Sequence, residues 1–217
     1  MSKPKLIVFA SGTPTGGGSG FKNLVFASRR NILRAEIAAV VSNYEKGGVS
    51  KLAERLKIPF VYFPAPWTAE HYQKIVRRFD AEFAALSGWL KLVSGLNPKK
   101  TFNIHPAPLP SFGGPGMYGR YVHEAVLKAY RAGAVKNSAV SMHFVTEKYD
   151  EGPVFFFMPV KIMPDDTPET LGKRVNGVEQ KFQPVITNLV VQGEISWDGE
   201  HKDSLRVPSG YRYLPGF

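Results

Sequence analysis

The 217-residue chain contains no cysteine. That excludes a disulfide framework, a thiolate zinc site and a cysteine nucleophile together. It also suits a reducing compartment, and a cytoplasmic location is expected. Long apolar runs are missing too. Stretches such as Leu6–Ala10 and Val154–Met158 fall far short of a membrane span. The first residues, Met1-Ser2-Lys3-Pro4-Lys5, run straight into a strand-like segment, without the pattern of a secretory leader. No His/Asp/Glu spacing suggests a metal site, no Gly-x-Ser-x-Gly elbow appears, and no Gly-Lys-Ser/Thr follows a glycine loop.

What is present is ordinary globular material, 43% hydrophobic and 21% charged, with a formal charge of +10. The charge is uneven. Residues 1–140 carry 20 Lys and Arg against 7 Asp and Glu, whereas residues 141–217 carry 8 against 11. Such asymmetry fits an anionic partner or a solvated basic surface.

The first half alternates apolar runs with helical patterns. Strands are expected at Leu6–Ala10, Ile37–Val41, Phe60–Phe63 and Phe83–Leu86, with helices after the first three. In the second half, Thr101–His105 reads as a strand and Arg120–Arg131 as a helix. Ala139–Val145 and Val154–Ile162 read as an antiparallel pair across Tyr149–Pro153. Thr167 caps the longest helix, with Pro168 in its first turn, an apolar stripe of Leu171, Val175, Val178, Phe182, Val185 and Leu189, and a kink at Pro184. Two short strands are expected at Glu194–Trp197 and Ser204–Val207. The pattern predicts one α/β domain over residues 1–217, a doubly wound, mostly parallel twisted sheet with an antiparallel C-terminal portion. Residues 1–100 are expected to form one half, which carries the glycine loop, and 101–217 the other, with the C-terminal tail.

Three constellations carry chemistry. The glycine loop Ser11–Gly20 joins a strand to a helix, where backbone N–H groups and the helix dipole suit a phosphate. Asn103 and His105 are two apart on a strand, so they project to one side at the C-terminal edge of the sheet. An amide donor beside an imidazole suits an oxyanion and a proton transfer. Asp150 sits in a turn and is useful if it reaches His105. His143 is expected to be a satisfied, partly buried histidine, whereas His71, His123 and His201 are expected in solvent.

These pieces resemble the phosphoribosylglycinamide formyltransferase family. The resemblance rests on Ser11-Gly12 with Gly18–Leu24, Ser87–Val93, Asn103–Pro106 with Leu109-Pro110, Ser141–Val145, Asp150–Pro153, and Arg174-Val175 with Glu179. It implies formyl transfer from 10-formyltetrahydrofolate, a cosubstrate rather than a bound cofactor, to the amine of glycinamide ribonucleotide in purine synthesis. The implied catalytic residues are Asn103, protonated His105 and Asp150, with His143 behind them. The implied ribonucleotide site is Gly18, Ser19, Gly20, Phe21, Lys22, Asn23 and Glu179. The implied folate strip is Leu90, Lys91, Leu92 and Val93 with Asn103, Thr146, Glu147, Lys148, Tyr149 and Asp150.

The chain departs from the family pattern in four places. Its glycine loop is longer, Lys91 replaces a common arginine, Phe112–Tyr118 is richer in glycine, and Ala69 stands where a basic residue often holds the folate tail. A metal, nucleic acid and membrane are not expected, and the chain is read as a monomer or homodimer. A transferase acting on an amino sugar or methionyl-tRNA is the alternative. The tRNA enzyme adds a C-terminal barrel, and only 27 residues follow Val190 here. A phosphate-binding module without catalysis is the other alternative.

Overall fold

A computed structural model describes residues 3–216. Met1, Ser2 and Phe217 lie outside the described residues, so the leader reading at Met1 and Ser2 is not addressed there.

Seven strands form one sheet. They are β1 (Lys5–Phe9), β2 (Glu36–Ser42), β3 (Phe60–Tyr62), β4 (Phe83–Ser87), β5 (Thr101–His105), β6 (Asn137–Phe144) and β7 (Val154–Lys161). The spatial order is β3-β2-β1-β4-β5-β6-β7. The first five are parallel, and β6 and β7 join antiparallel. The helices are α1 (Ser19–Arg29), α2 (Gly48–Leu56), α3 (Ala69–Arg78), α4 (Gly119–Arg131) and α5 (Pro168–Val191). This is the expected mixed sheet, with boundaries shifted by a residue or two.

The alternation along β1 shows why it is apolar throughout. Leu6 and Val8 face a core layer under α1, α2, α4 and α5. Ile7 and Phe9 face a second layer under α3, with Tyr72 and Trp89. Both faces are covered, so no polar position is available. In the second layer the Trp89 Nε1–H donates to the Tyr72 hydroxyl at 2.9 Å, which donates to the Leu92 carbonyl at 3.0 Å. The segment after β4 is therefore pinned from below.

Helix starts follow local chemistry. Thr68 Oγ1 accepts from His71 N, and Thr167 with Thr170 forms a reciprocal capping box ahead of Pro168. Asp166, just before that box, is buried and takes both guanidinium nitrogens of Arg174 at 2.6 and 2.9 Å. This pair fixes the first two turns of α5 and holds the Asp166 carboxyl well below its ordinary range.

The stripe on α5 differs from expectation at Val185, which is 48% exposed. The buried face runs instead through Leu171, Val175, Gln183, Ile186 and Val190, one position further on at that turn. The tail also differs. A single antiparallel bridge, Ser196 to Arg206, stands where two strands were expected, with a short 3-10 turn at Lys202–Ser204. Further on, Tyr213 O accepts from Phe157 N and the Tyr211 hydroxyl donates to Phe155 O at 2.8 Å, so the tail covers the β7 edge.

Pro184 does not interrupt the helical assignment of α5. A proline at 184 cannot donate to the carbonyl of Gln180, four residues back. The Asn23 carboxamide from α1 donates to that carbonyl at 2.6 Å instead. One side chain thus satisfies the acceptor and ties α1 to α5. Asn23→Ala should lower stability by about 1–3 kcal/mol, the cost of an unmade buried hydrogen bond. Adding Pro184→Ala restores an intrahelical donor, so the double variant should recover part of the loss in denaturant unfolding. Strict additivity of the two substitutions would refute this pairing.

Candidate active site

The C-terminal ends of β1, β4 and β5 open onto a cavity of about 530 Å³. This is where parallel sheets place their ligands. Its walls are the glycine loop, Ser87–Leu90, Asn103–Pro106, the loop Gly114–Gly119, Tyr149-Asp150, and one face of α5.

The glycine loop is longer than a simple strand–helix turn because it folds on itself first. Thr13 N donates to Gly16 O at 2.9 Å, and Gly16 N donates to Thr13 Oγ1 at 2.8 Å. Gly18 then takes a left-handed conformation with φ 80° and precedes α1 with no side-chain cap. The first N–H groups of α1 consequently sit beside the cavity, a ready anion cradle. Gly20 is required for close packing. A Cβ there would strike Ser87 Oγ and lie 2.8 Å from Gln183 Oε1. Gln183 in turn donates to Ser87 Oγ at 3.0 Å, locking α5 to the end of β4.

Asn103 and His105 leave β5 on the same side, and the antiparallel register places Asn103 opposite His143 on β6. The Asn103 Nδ2 group is 3.1 Å from His143 Nε2 and 3.4 Å from Asp150 Oδ1. The other Asp150 oxygen accepts Gly114 N–H at 2.9 Å and lies 3.8 Å from His105 Nδ1. His143 Nε2 is 3.2 Å from Asp150 Oδ1. Four groups therefore converge on one carboxylate. Burial alone would raise the Asp150 carboxyl, but His143, His105 and the Gly114 N–H together hold it below its ordinary range. Asp150 also adopts φ 56°, a left-handed conformation that aspartate tolerates and that recurs at functional sites.

His105 Nε2 lies 2.7 Å from Phe112 O. A carbonyl only accepts, so that nitrogen carries the proton. Burial lowers the affinity of the ring for a second proton, against the pull of Asp150 and Phe112 O. Burial thus favours the neutral ring and Asp150 the charged one, with Nδ1 turned to the Asp150 carboxylate.

Of the other expected residues, Gly18, Ser19, Gly20, Glu179, Leu90 and Tyr149 line the same cavity. Phe21 is instead core, Lys22 lies over the Phe26 ring at 5.8 Å, and Asn23 is committed to Gln180. Lys91 stacks on Trp67 at 4.5 Å, and Leu92 is half-exposed with its carbonyl held by Tyr72. Lys148 pairs with Glu151 at 3.6 Å. Val93, Thr146 and Glu147 line a separate cavity of about 270 Å³, with Leu96 and Val145. The folate strip therefore splits between two spaces. His143 is buried and hydrogen-bonded as expected.

Sequence reasoning missed Asn176, Gln183, and His123, which is buried rather than solvated and lines the main cavity. The excess of glycine at Phe112–Tyr118 was the available signal for the loop that supplies the Gly114 N–H. Among the described residues no Lys or Arg lines the main cavity. Among the described residues no group of three or more His, Asp or Glu is placed to hold a metal ion, and no helix is long and apolar enough to cross a membrane.

A family model described as formyl transferase matches residues 4–187. The chain belongs to the formyl transferase family. It is 32% identical over 206 residues to a chloroplastic phosphoribosylglycinamide formyltransferase of Arabidopsis thaliana, covering 90% of this chain and 68% of that protein. It is also 32% identical over 192 residues to the Bacillus subtilis phosphoribosylglycinamide formyltransferase, covering 84% of this chain and 92% of that one. Among solved structures, the Anaplasma phagocytophilum phosphoribosylglycinamide formyltransferase superposes with a TM-score of 0.79 at 25% identity, covering 98% of each chain.

In this formyl transferase, Glu179 on the cavity wall is a carboxyl that burial raises. Its carboxyl is pushed up to about 7, although Asn176 Nδ2 donates to it at 3.0 Å. A raised carboxyl favours folding below its unfolded value near 4.5, and that contribution is lost as pH rises through 7. Glu179→Gln should therefore match the parent in stability near pH 4.5 and exceed it at pH 8 by about 3 kcal/mol. Urea unfolding at both pH values checks this, and a stability difference independent of pH would refute it.

Proposed function

We propose that this formyl transferase moves the formyl group of 10-formyltetrahydrofolate to the amine of glycinamide ribonucleotide, as a step of purine synthesis. The observation that carries the reading is the convergence of Asn103, His105 and Asp150 in the cavity that the glycine loop also lines. The relatives' names support the choice of amine, and their formyl chemistry makes the folate a cosubstrate.

The ribonucleotide phosphate takes the uncapped N–H groups at Gly18–Gly20, and Glu179 with Asn176 faces the ribose. The folate approaches past Leu90, Tyr149 and Asp150, with its pterin in the smaller cavity between Val93 and Thr146. The amine nitrogen attacks the formyl carbon, and the carbonyl π electrons move onto oxygen. The Asn103 carboxamide faces that oxygen, a preorganised donor where charge develops. One amine proton passes through water to Asp150, whose carboxylate is ionised and therefore able to accept. The bond from carbon to the folate nitrogen then breaks as the oxyanion collapses, and the departing nitrogen takes a proton relayed from Asp150. His105 supports the proton on the carboxylate side through Nδ1, and the negative Asp150 raises its basicity.

Two-substrate turnover decides the reading. The purified protein with both compounds should release tetrahydrofolate and formylated ribonucleotide. Folded protein with no turnover above a boiled control would overturn it, and turnover only with an amino sugar or methionyl-tRNA would transfer the reading to that amine. Asp150→Asn keeps the shape but removes the acceptor. It should lower kcat by about 10²–10⁴-fold, the usual weight of general acid–base catalysis. A normal kcat in that variant would remove Asp150 from the mechanism.

A further inference from the structure

His123 is a buried polar side chain on the wall of the main cavity that this mechanism leaves unused. It projects from α4, is only 7% exposed, and lines the main cavity. Its Nδ1 is buried without a hydrogen-bond partner. The ring is seated against α5 at Gly172, where a Cβ would lie 3.0 Å from Cδ2 and 3.1 Å from Nε2. Gly172 lines the cavity as well, so its missing side chain keeps the approach to Nε2 open. The start of α4 is held in place by Arg120, which bonds Glu124 at 2.5 Å and Glu169 of α5 at 2.8 Å. A polar ring held this firmly, with no partner in the protein, is a cost unless a ligand supplies one.

The chemistry of the ring selects the ligand group. Burial and the nearby His105 both lower the His123 pKa, which favours the neutral imidazole. One nitrogen then bears hydrogen and the other is bare. A buried N–H without a partner is rarer and more costly than an unsatisfied acceptor. The hydrogen therefore belongs on Nε2, the nitrogen with an open approach, and the bare nitrogen is Nδ1. Position completes the assignment. The cavity face of α5 runs from Gln183, beside the glycine loop, through Glu179 to Gly172, a span of roughly 16 Å at 1.5 Å per residue. A ligand anchored by phosphate at the loop points its other end towards His123 and His105.

We propose that His123 Nε2–H donates a hydrogen bond to the carbonyl oxygen beside the reacting amine, making His123 a specificity residue for α-amino amides. This rests on the reading of the reaction given above, and names the part of the substrate that distinguishes it from a bare amine or an amino sugar.

Steady-state kinetics on three proteins test it: the unaltered enzyme, His123→Phe and His123→Gln. Loss of one buried hydrogen bond to substrate should raise KM for glycinamide ribonucleotide by about 10–100-fold in His123→Phe, while KM for the folate stays constant. His123→Gln retains an N–H donor and should restore much of the affinity. The unaltered enzyme should prefer the amide to the same ribonucleotide with a methylene in place of the carbonyl, and His123→Phe should lose that preference. Thermal unfolding separates this role from packing, because replacing an unpartnered polar ring by an apolar one should leave Tm unchanged or raise it.

An unchanged KM for the amine in His123→Phe, an equal rise in both KM values, or a retained preference for the carbonyl would each overturn the proposal while the reaction stands. No turnover by the unaltered enzyme would overturn the reaction and this proposal together.

Discussion

The antiparallel attachment of β6 to a sheet that is otherwise parallel up to β5 is the constraint on which the site depends. A sixth parallel strand would need a crossover and would bring its side chains in with a different register. Running back instead, β6 sets His143 directly across from Asn103 and releases the chain at its end into the turn that carries Asp150. Polar groups from β5 thereby meet those of β6 and the turn, some forty residues further along the chain. The left-handed conformation at Asp150 and the Gly114 N–H complete the arrangement.

Much of this was legible in the residues. Continuous apolar runs marked strands covered on both sides, and the two-residue spacing of Asn103 and His105 marked a shared direction, because strand periodicity is short and rigid. Thr167-Pro168 marked a helix start through its own side-chain chemistry. What failed did so because it depends on partners far away in sequence. His123 follows a helical pattern that looks solvated, and only the packing of α4 on α5 at Gly172 buries it. Asn23 sits in a motif that looked like phosphate binding, but its carboxamide answers a proline more than 150 residues later. Val185 matched the apolar stripe by type, while the burial of Gln183 and Pro184 moved the stripe past it.

The site holds features that a sequence optimised for stability alone would avoid. Glu179 is a carboxyl pushed up by burial, His123 has an unanswered ring nitrogen, and Asp150 has a positive φ. Each lies on the cavity wall, and each is held from outside: Glu179 on α5 anchored by the Asp166–Arg174 pair, His123 on α4 anchored by Arg120, and Asp150 by the Gly114 N–H and His143. Local cost at a site is sustainable where the frame around it is overdetermined.

The chain is strongly basic, yet among the described residues no Lys or Arg lines the main cavity. For the anionic substrate proposed above, attraction and retention are therefore separate physical events. Approach is governed by a diffuse field of exposed cations, which dissolved salt weakens over a Debye length of about 8 Å at physiological ionic strength. Retention is governed by backbone dipoles inside the fold, which salt hardly reaches. Ionic strength then acts as a throttle on capture while leaving the bound complex and its chemistry nearly untouched.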